Sequence, residues 1–456
     1  MKERENFSSR LSFIIVSVSC AVGLGNIWLM PYRAGTYGGG LYVLLVVLFI
    51  IIFAIPILSA EYALGRASQQ SVAGLFQKLQ PPGKKWHLAS YFMIAGNYLL
   101  LMFYVLICGF ALMYLYKGIT GELIGQNPEQ IQAAFGNLTG NAGLSVLLTV
   151  IILAFGMFAC YIGLKGVERV SKYMMAVFFA VILVLIVRSL TLPGAMEGLR
   201  FIFVPDPAGF AEHGVFRIIH MAMGQAVFSV SVGMGSMVVF GSYINRERRL
   251  LKDAFTVGVI DICVALLCLL MIFPAAFAFG ISPTVGEGLL FVVMPNVFNQ
   301  MPGTYLWALT FYAGLTFVSI STAIAVMENV VALGMDKFGW ERKKSVIINF
   351  VALIILCLPA ALGRNVWSAF TVPTFPHIGS FFTFLVMELI MPLGAIVFML
   401  FAMSKRGWGW DNFLAELNTG ETGWKVPTTA HFYLAYVLPA VLIFIFVFGL
   451  LQRFVF

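Results

Sequence analysis

Residues Ala21–Asn26 read Ala-Val-Gly-Leu-Gly-Asn and lie in the middle of the first long apolar segment of the chain. Two glycines and an asparagine stand there where an uninterrupted membrane helix would carry leucine, isoleucine or valine, and glycine weakens a helix. Backbone groups freed by an unwound turn are tolerated at membrane depth only where a cavity, an ion or a substrate satisfies them. The stretch therefore predicts a broken helix that lines a binding site.

A second interruption, Ser229–Gly235 (Ser-Val-Ser-Val-Gly-Met-Gly), falls in the sixth apolar segment. Two broken helices five segments apart are typical of secondary transporters built from inverted repeats, in which the binding site lies at the membrane midplane. The pattern predicts that architecture here.

The composition excludes a soluble globular protein. Of 456 residues, 61% are hydrophobic and 11% charged, and the mean hydropathy is +0.95, which is typical of a polytopic helical membrane protein surrounded by lipid. All six cysteines lie in apolar segments, which argues against a disulfide framework or a zinc site. The net charge of +8 is spread over short clusters between these segments, so it indicates membrane orientation and no nucleic-acid partner.

Apolar runs of spanning length predict eleven transmembrane helices. They begin near Leu11, Leu41, Leu88, Ala142, Val170, Val215, Leu251, Thr304, Ser345, Phe381 and His431. Most Lys and Arg residues fall on one side if the N-terminus is cytoplasmic, so we expect a multi-pass plasma-membrane protein with its C-terminus outside. Residues 1–456 are expected to form one transporter domain, with repeats at 11–190 and 215–404 and an eleventh helix at 431–453.

Charged side chains within membrane helices are costly, so each is a candidate functional residue. Glu61, near the inner end of the second helix, could accept hydrogen bonds from a broken helix or have a plain structural role. Asp261, in the seventh segment, has no cationic neighbour within one turn. Such a carboxylate would either bind a cation or be neutralised.

Two sets of oxygen atoms near the helix breaks suit Na⁺, a hard cation that takes several oxygen ligands. Ala21 (through its carbonyl), Asn26, Ser229 and Asp261 form the first set, and Ser321 and Thr322 with carbonyls near Ser19 and Val22 form the second. Taken singly, Ser and Thr in such helices usually bond back to their own helix. Helix N-termini favour a substrate carboxylate, which Leu24 and Gly25 could meet through N–H groups and Tyr104 through its hydroxyl.

The segments Ser9–Leu11, Ala21–Trp28, Pro31–Tyr32 and Gly38–Gly40 together resemble the signature of the neurotransmitter:sodium symporters. The prokaryotic amino-acid branch, typified by the bacterial leucine transporter, is the most similar. The resemblance extends over almost the whole chain. It implies an all-α integral membrane fold of eleven helices, two inverted five-helix repeats with helices 1 and 6 broken, alternating access and Na⁺ coupling.

The resemblance also implies roles for individual residues, with two Na⁺ sites. The first Na⁺ site takes Ala21, Asn26, Ser229 and Asp261; the second takes Ser19, Val22, Val318, Ser321 and Thr322. The substrate site takes Ala21, Leu24, Gly25, Leu100, Tyr104, Phe228, Ser229, Ser231, Met234, Thr322 and Val326. The inner gate takes Arg4, Ser242, Tyr243 and Asp336, Glu61 braces the broken sixth helix, and Gln225 also fits the pattern. Asp261 is either a ligand or the buried negative charge that chloride supplies in animal members, and both alternatives predict chloride independence.

Gly23 indicates the substrate class, because monoamine carriers of this family have an aspartate at the matching position. Glycine leaves room for a carboxylate, and the apolar pocket favours a hydrophobic or aromatic L-amino acid. Flexible backbone around the deformable Met234 predicts tolerance from leucine-sized to tryptophan-sized side chains.

The chain departs from the family at its outer gate and on its fifth helix. Leu29 and Thr383 occupy the positions of the outer arginine and aspartate, so we expect an apolar outer seal with Phe228 as its lid. On helix five, Ala176 replaces a proline that permits inward unwinding in some bacterial members, so the inner water path is expected to open differently.

The sequence also bears on three other functions. A substrate-binding sensor that no longer transports is permitted by the altered outer gate, and a symporter for another small amino-acid-like solute also fits. An intramembrane enzyme is disfavoured, because no Ser/His/Asp or His-x-x-x-His set lies at membrane depth. The sequence leaves the oligomeric state open.

Overall fold

The computed structural model describes residues 4–281, 288–370 and 372–454, and every named element in these residues is a helix. The first apolar segment consists of Arg10–Ala21 (α1a) and Gly25–Thr36 (α1b), which meet at 48°. The sixth consists of Val215–Ser229 (α6a) and Ser236–Gly241 (α6b). The continuous apolar helices are α2 Gly40–Ser68, α3 Trp86–Thr120, α4 Ala142–Ile162, α5 Leu164–Leu190, α7 Leu251–Ala278, α8 Thr304–Phe338, α9 Arg342–Leu362, α10 Ile378–Met403 and α11 Ala430–Leu451.

These helices account for most of the predicted spans. In the described residues, nine continuous helices are long and apolar enough to cross a membrane, and α1a with α1b passes as one bent span. The 15 residues of α6a alone are too few, since a span needs about 20. The count of eleven therefore depends on taking α6a and α6b as one crossing. That count and the inverted relation of the two five-helix groups stay predictions.

Most helices begin within two residues of the expected start. Helix α10 begins at Ile378, three residues before the expected Phe381, and two further differences fall where a first turn is charged. Helices α4, α6a, α7 and α8 begin at the expected residues. In contrast, α5 begins at Leu164 and not near Val170, and α9 at Arg342 and not near Ser345. Their first turns carry exposed Lys165 and Lys343, which an apolar run excludes although they continue the helix.

Several helices widen to a π-helical turn just before a proline. The widened turns are Gly25–Leu29, Ile50–Ala54, Leu289–Val293, Leu385–Ile390 and Tyr433–Val437, and Pro31, Pro56, Pro295, Pro392 and Pro439 follow them. Proline lacks an N–H and its ring clashes with the carbonyl four residues earlier, which the wider turn relieves. In α1b this turn begins at Gly25, directly after the break.

Helix α8 is a buried helix that packs against the end of α1a, next to the first break. It is buried along most of its length and packs against α3, α5 and α1a. It therefore presents Val318, Ser321 and Thr322 to the end of α1a.

Candidate functional site

The first cluster of oxygen atoms joins α1b, the end of α6a and α7 around one carboxylate. Asn26 Nδ2 donates to Asp261 Oδ1 at 2.9 Å and to the Asp261 carbonyl at 3.2 Å. Ser229 Oγ donates to Asp261 Oδ2 at 2.6 Å. All three residues are buried. Three side chains distant in the sequence thus share one buried polar centre.

This centre has a free acceptor. In the described part of the chain, Asn26 Oδ1 is buried and has no hydrogen-bond partner. A buried acceptor without a partner costs about 1–3 kcal/mol, which a ligand that binds it can recover. Carboxylate, amide and hydroxyl groups in one buried cluster supply the kind of oxygen ligand that a hard cation such as Na⁺ takes.

The second cluster surrounds the hydroxyl of Thr322. Thr322 Oγ1 lies 2.8 Å from the Ser19 carbonyl oxygen, 2.9 Å from that of Val22 and 3.1 Å from that of Val318. Ser321 Oγ lies 2.8 Å from the same Val318 oxygen. A hydroxyl has a single proton, so it cannot donate fully to three carbonyls at once. The converging oxygens again fit a small cation.

Between these clusters, the backbone of the first break approaches α3 and α8 closely. The Leu24 N–H donates to the Tyr104 hydroxyl at 3.2 Å. A Cβ atom on Gly23 would lie 2.6 Å from both Tyr104 Oη and Thr322 Oγ1. A Cβ on Gly25 would lie 2.8 Å from the Phe228 ring. Only glycine fits at residues 23 and 25 in this arrangement.

The predicted side-chain pocket draws on α3, the broken sixth helix and α8. Its members are Leu100 and Tyr104, then Phe228, Ser231 and Met234, and finally Thr322 and Val326. Phe228 and Ser231 are partly exposed and the others are buried. Ser231 has a φ of 54° and its hydroxyl donates to the Cys20 carbonyl at 2.8 Å, which ties the two breaks together.

Glu61 on α2 contacts the break in the sixth helix directly. Its Oε1 accepts the Gly233 N–H at 2.5 Å. Gly233 has a φ of 98°, and a Cβ there would lie 2.0 Å from the Met391 carbonyl oxygen. The break is therefore clamped between α2 and α10.

A polar network next to the second break is absent from the sequence-based predictions. Asn329 Nδ2 donates to Ser236 Oγ at 2.6 Å and to Asn97 Oδ1 at 3.3 Å. Asn97 Nδ2 in turn donates to the Met234 carbonyl at 2.9 Å. The signal was present in the sequence, because an asparagine inside an apolar helix needs partners.

On the side of the breaks that is predicted to face the cytoplasm, the predicted gate residues are in contact. Arg4 Nη1 lies 2.6 Å from Asp336 Oδ1, and Arg4 Nε donates to Ser242 Oγ at 3.0 Å. The guanidinium also lies 5.0 Å from the centre of the Tyr243 ring. Residues before α1a, after α6b and at the end of α8 are thereby joined.

Arg342 extends this network and was missed by the sequence reasoning. Its Nη1 lies 2.8 Å from Glu328 Oε2, and its Nε lies 3.1 Å from Glu5 Oε1. Tyr243 Oη donates to Glu328 Oε1 at 2.8 Å. Glu328, a buried carboxylate of α8, is thus paired with Arg342 and Tyr243.

On the other side of the breaks, a cavity of about 510 Å³ is lined by Trp28, Leu29, Thr383 and Glu388, among others. Its wall also contains charge, since Arg453 Nη1 lies 2.6 Å from Glu388 Oε2. The Arg453–Glu388 pair therefore lines the same cavity as Leu29 and Thr383, where an apolar outer seal is expected.

Gln225 adds a second polar link on this side. Its Oε1 accepts from Arg33 Nη1 at 3.3 Å and its Nε2 donates to the Gly25 carbonyl at 3.2 Å. Arg33 lies one turn beyond Leu29, so the arginine on this side of the breaks comes from a different position in α1b.

Comparisons with known proteins match nearly the whole chain. The sequence model of the sodium:neurotransmitter symporter family matches residues 4–133 and 129–454. An uncharacterized sodium-dependent transporter of Bacillus subtilis (strain 168), YhdH, is 33% identical over 96% of each chain. An uncharacterized sodium-dependent transporter of Haemophilus influenzae is 28% identical over 98% of each chain. The crystal structure of MhsT in complex with L-phenylalanine superposes with a TM-score of 0.89 at 34% identity, covering 98% of this chain and 100% of MhsT.

Proposed function

This chain belongs to the sodium:neurotransmitter symporter family and is a sodium-dependent membrane transporter, and from that premise we propose that it imports neutral hydrophobic or aromatic L-amino acids together with Na⁺. The observation that carries the proposal is the pair of buried oxygen clusters at the break in the first helix. The L-phenylalanine bound to the similar MhsT supports the substrate class.

In this proposal, two Na⁺ ions are co-substrates. One binds Asn26 Oδ1, Asp261, Ser229 and the Ala21 carbonyl, and the other binds the oxygens around Thr322. An ion at the first cluster would join the Ala21 carbonyl at the end of α1a to Asn26 in α1b, and an ion at Thr322 would join the end of α1a to α8. Asp261 supplies a negative charge at the first cluster, so no chloride is required.

The substrate carboxylate is placed at the N–H groups of Leu24 and Gly25 and at the Tyr104 hydroxyl. That hydroxyl already bonds the Leu24 N–H, and the start of α1b favours negative charge. The substrate ammonium is placed at the carbonyls of Ala21 and Phe228. Substrate and ions thus order the same backbone, so each raises the affinity for the other.

Transport follows from opening the two sides in turn. With the Arg4–Asp336 contact formed and a cavity on the opposite side, the described arrangement favours access from outside. Loss of the ion at Thr322 releases the end of α1a from α8. Separation of Arg4 from Asp336 then opens the inner path, and the substrate leaves to the cytoplasm.

We expect Na⁺ to control binding of L-phenylalanine, L-leucine and L-tryptophan. Because ion and substrate share the first break, replacing Na⁺ by K⁺ is expected to weaken binding at least about 100-fold, a coupling at the upper end of the usual range. Equilibrium binding of radiolabelled substrate to the purified protein measures this. Phenethylamine, which has the ring and the amine but no carboxylate, is the control and is expected not to compete. Binding of equal strength in K⁺, or competition by the amine, would contradict the proposal.

We expect Asp336→Asn to weaken Na⁺-dependent substrate binding about 5- to 30-fold. The partly buried contact with Arg4 contributes about 1–2 kcal/mol after allowance for solvent screening, and its loss shifts the population away from the state that binds from outside. A double-mutant cycle with Arg4→Gln measures the coupling, and the double variant is expected to be no worse than either single variant. Fully additive losses would show that the two residues act separately.

A further inference from the structure

We propose that a shallow basic depression at the inner face binds the phosphodiester headgroup of an anionic glycerophospholipid. The depression has a volume of about 370 Å³ and is lined by Lys84, Lys85, Trp86, Ala89, Val397 and Arg406. It lies where the turn before α3 meets the end of α10, away from both helix breaks. The inference does not depend on which substrate is carried.

All charged residues that line this depression are cations. Lys84, Lys85 and Arg406 are exposed cations on its wall, and no lining residue is acidic. The sequence contains no Asp or Glu between Glu61 and Glu122, and none between Glu388 and Asp411. No acidic residue therefore lines the depression beside the three cations, which favours a phosphate ligand.

Trp86 fixes the two walls to each other. Its Nε1 donates to the Arg406 carbonyl at 2.7 Å, and its ring centre lies 5.4 Å from that of Phe401. Trp side chains are favoured at the membrane–water interface, where one part is apolar and the other polar. The cations are thus carried on backbone held in place and not on two independent loops.

The floor is suited to acyl chains and not to a water-soluble anion. Ala89 and Val397 are apolar and partly exposed, and the adjoining α3 residues Leu88 and Tyr91 are each 54% exposed. A phospholipid would place its phosphate among the cations and its chains along this apolar surface. A free phosphate would contact only the cations of the depression and not its apolar surface.

The test is lipid binding by the purified full-length protein, measured by native mass spectrometry with phosphatidylglycerol and phosphatidylcholine. Each Lys or Arg near an anionic headgroup contributes about fivefold to affinity, so Lys84→Gln/Lys85→Gln/Arg406→Gln is expected to weaken phosphatidylglycerol binding roughly 100-fold. The matched control is Lys165→Gln/Arg169→Gln/Lys172→Gln, which removes three exposed cations of α5. It is expected to change the affinity less than about twofold, and thermal unfolding checks that both variants are folded.

Each other outcome would overturn the proposal. Equal losses in the two triple variants would mean general attraction to surface charge. No loss in either, or equal binding of phosphatidylcholine by the unaltered protein, would exclude a headgroup site. Displacement of phosphatidylglycerol by millimolar inorganic phosphate would indicate an anion site that does not require a lipid.

Discussion

Asn26→Ala is expected to raise the Na⁺ concentration needed for half-maximal substrate binding about 10- to 150-fold. The change removes the unpaired Oδ1 and also the Nδ2 donor that lies 2.9 Å from Asp261 Oδ1. A ligand that binds a buried acceptor without a partner recovers about 1–3 kcal/mol, and the alanine variant has no such acceptor for Na⁺ to bind. Titration of radiolabelled L-phenylalanine binding with Na⁺ measures the shift.

Asn349→Ala is the matched control for this variant. Asn349 is as buried as Asn26, and its Nδ2 donates to the Val330 carbonyl at 3.2 Å and the Ser345 carbonyl at 2.9 Å, away from the breaks. Its loss is expected to lower stability without changing the Na⁺ dependence. An unchanged Na⁺ titration in Asn26→Ala, or the same shift in both variants, would remove Asn26 from the proposed ion site.

Gly23→Ala is expected to weaken substrate binding about 30- to 150-fold, even at saturating Na⁺. The added methyl group would lie 2.6 Å from Tyr104 Oη and 2.6 Å from Thr322 Oγ1. Overpacking of this kind costs about 1–3 kcal/mol, and the value is expected near the upper end because two hydroxyls must move. Movement of these two hydroxyls would disturb both the proposed carboxylate site and the second cluster. Saturation binding of L-phenylalanine measures the loss.

Gly224→Ala is the control for steric specificity. Gly224 is a buried glycine of α6a, and a Cβ there would meet no atom within 4 Å. Alanine stabilises a helix relative to glycine by about 1 kcal/mol, so this variant is expected to bind normally. Normal binding by Gly23→Ala would show that the backbone at the first break does not meet the substrate.

Much of the fold and site could be predicted because their causes are local in the sequence. Glycines within an apolar run identify both breaks, and oxygen-bearing residues near them identify both clusters. The coarse family assignment is confirmed by the match over nearly the whole chain. The roles of the individual site residues and the repeat boundaries stay predictions.

The features that were missed depend on contacts between distant segments. Glu328 of α8 pairs with Arg342, which lies beyond the end of α8, in the first turn of α9. Arg453 reaches Glu388 across α10 and α11, and no spacing rule connects them. The charged first turn of α5 was excluded from its helix because hydropathy reports the apolar span and not the helix itself.

Uptake of radiolabelled L-phenylalanine into proteoliposomes distinguishes Na⁺-coupled transport from binding alone. With an inward Na⁺ gradient, we expect accumulation above the external concentration. Accumulation should cease when K⁺ replaces Na⁺ or when an ionophore dissipates the gradient. Na⁺-dependent binding without accumulation would contradict transport and indicate a sensor. The absence of both binding and uptake would exclude hydrophobic amino acids as substrates.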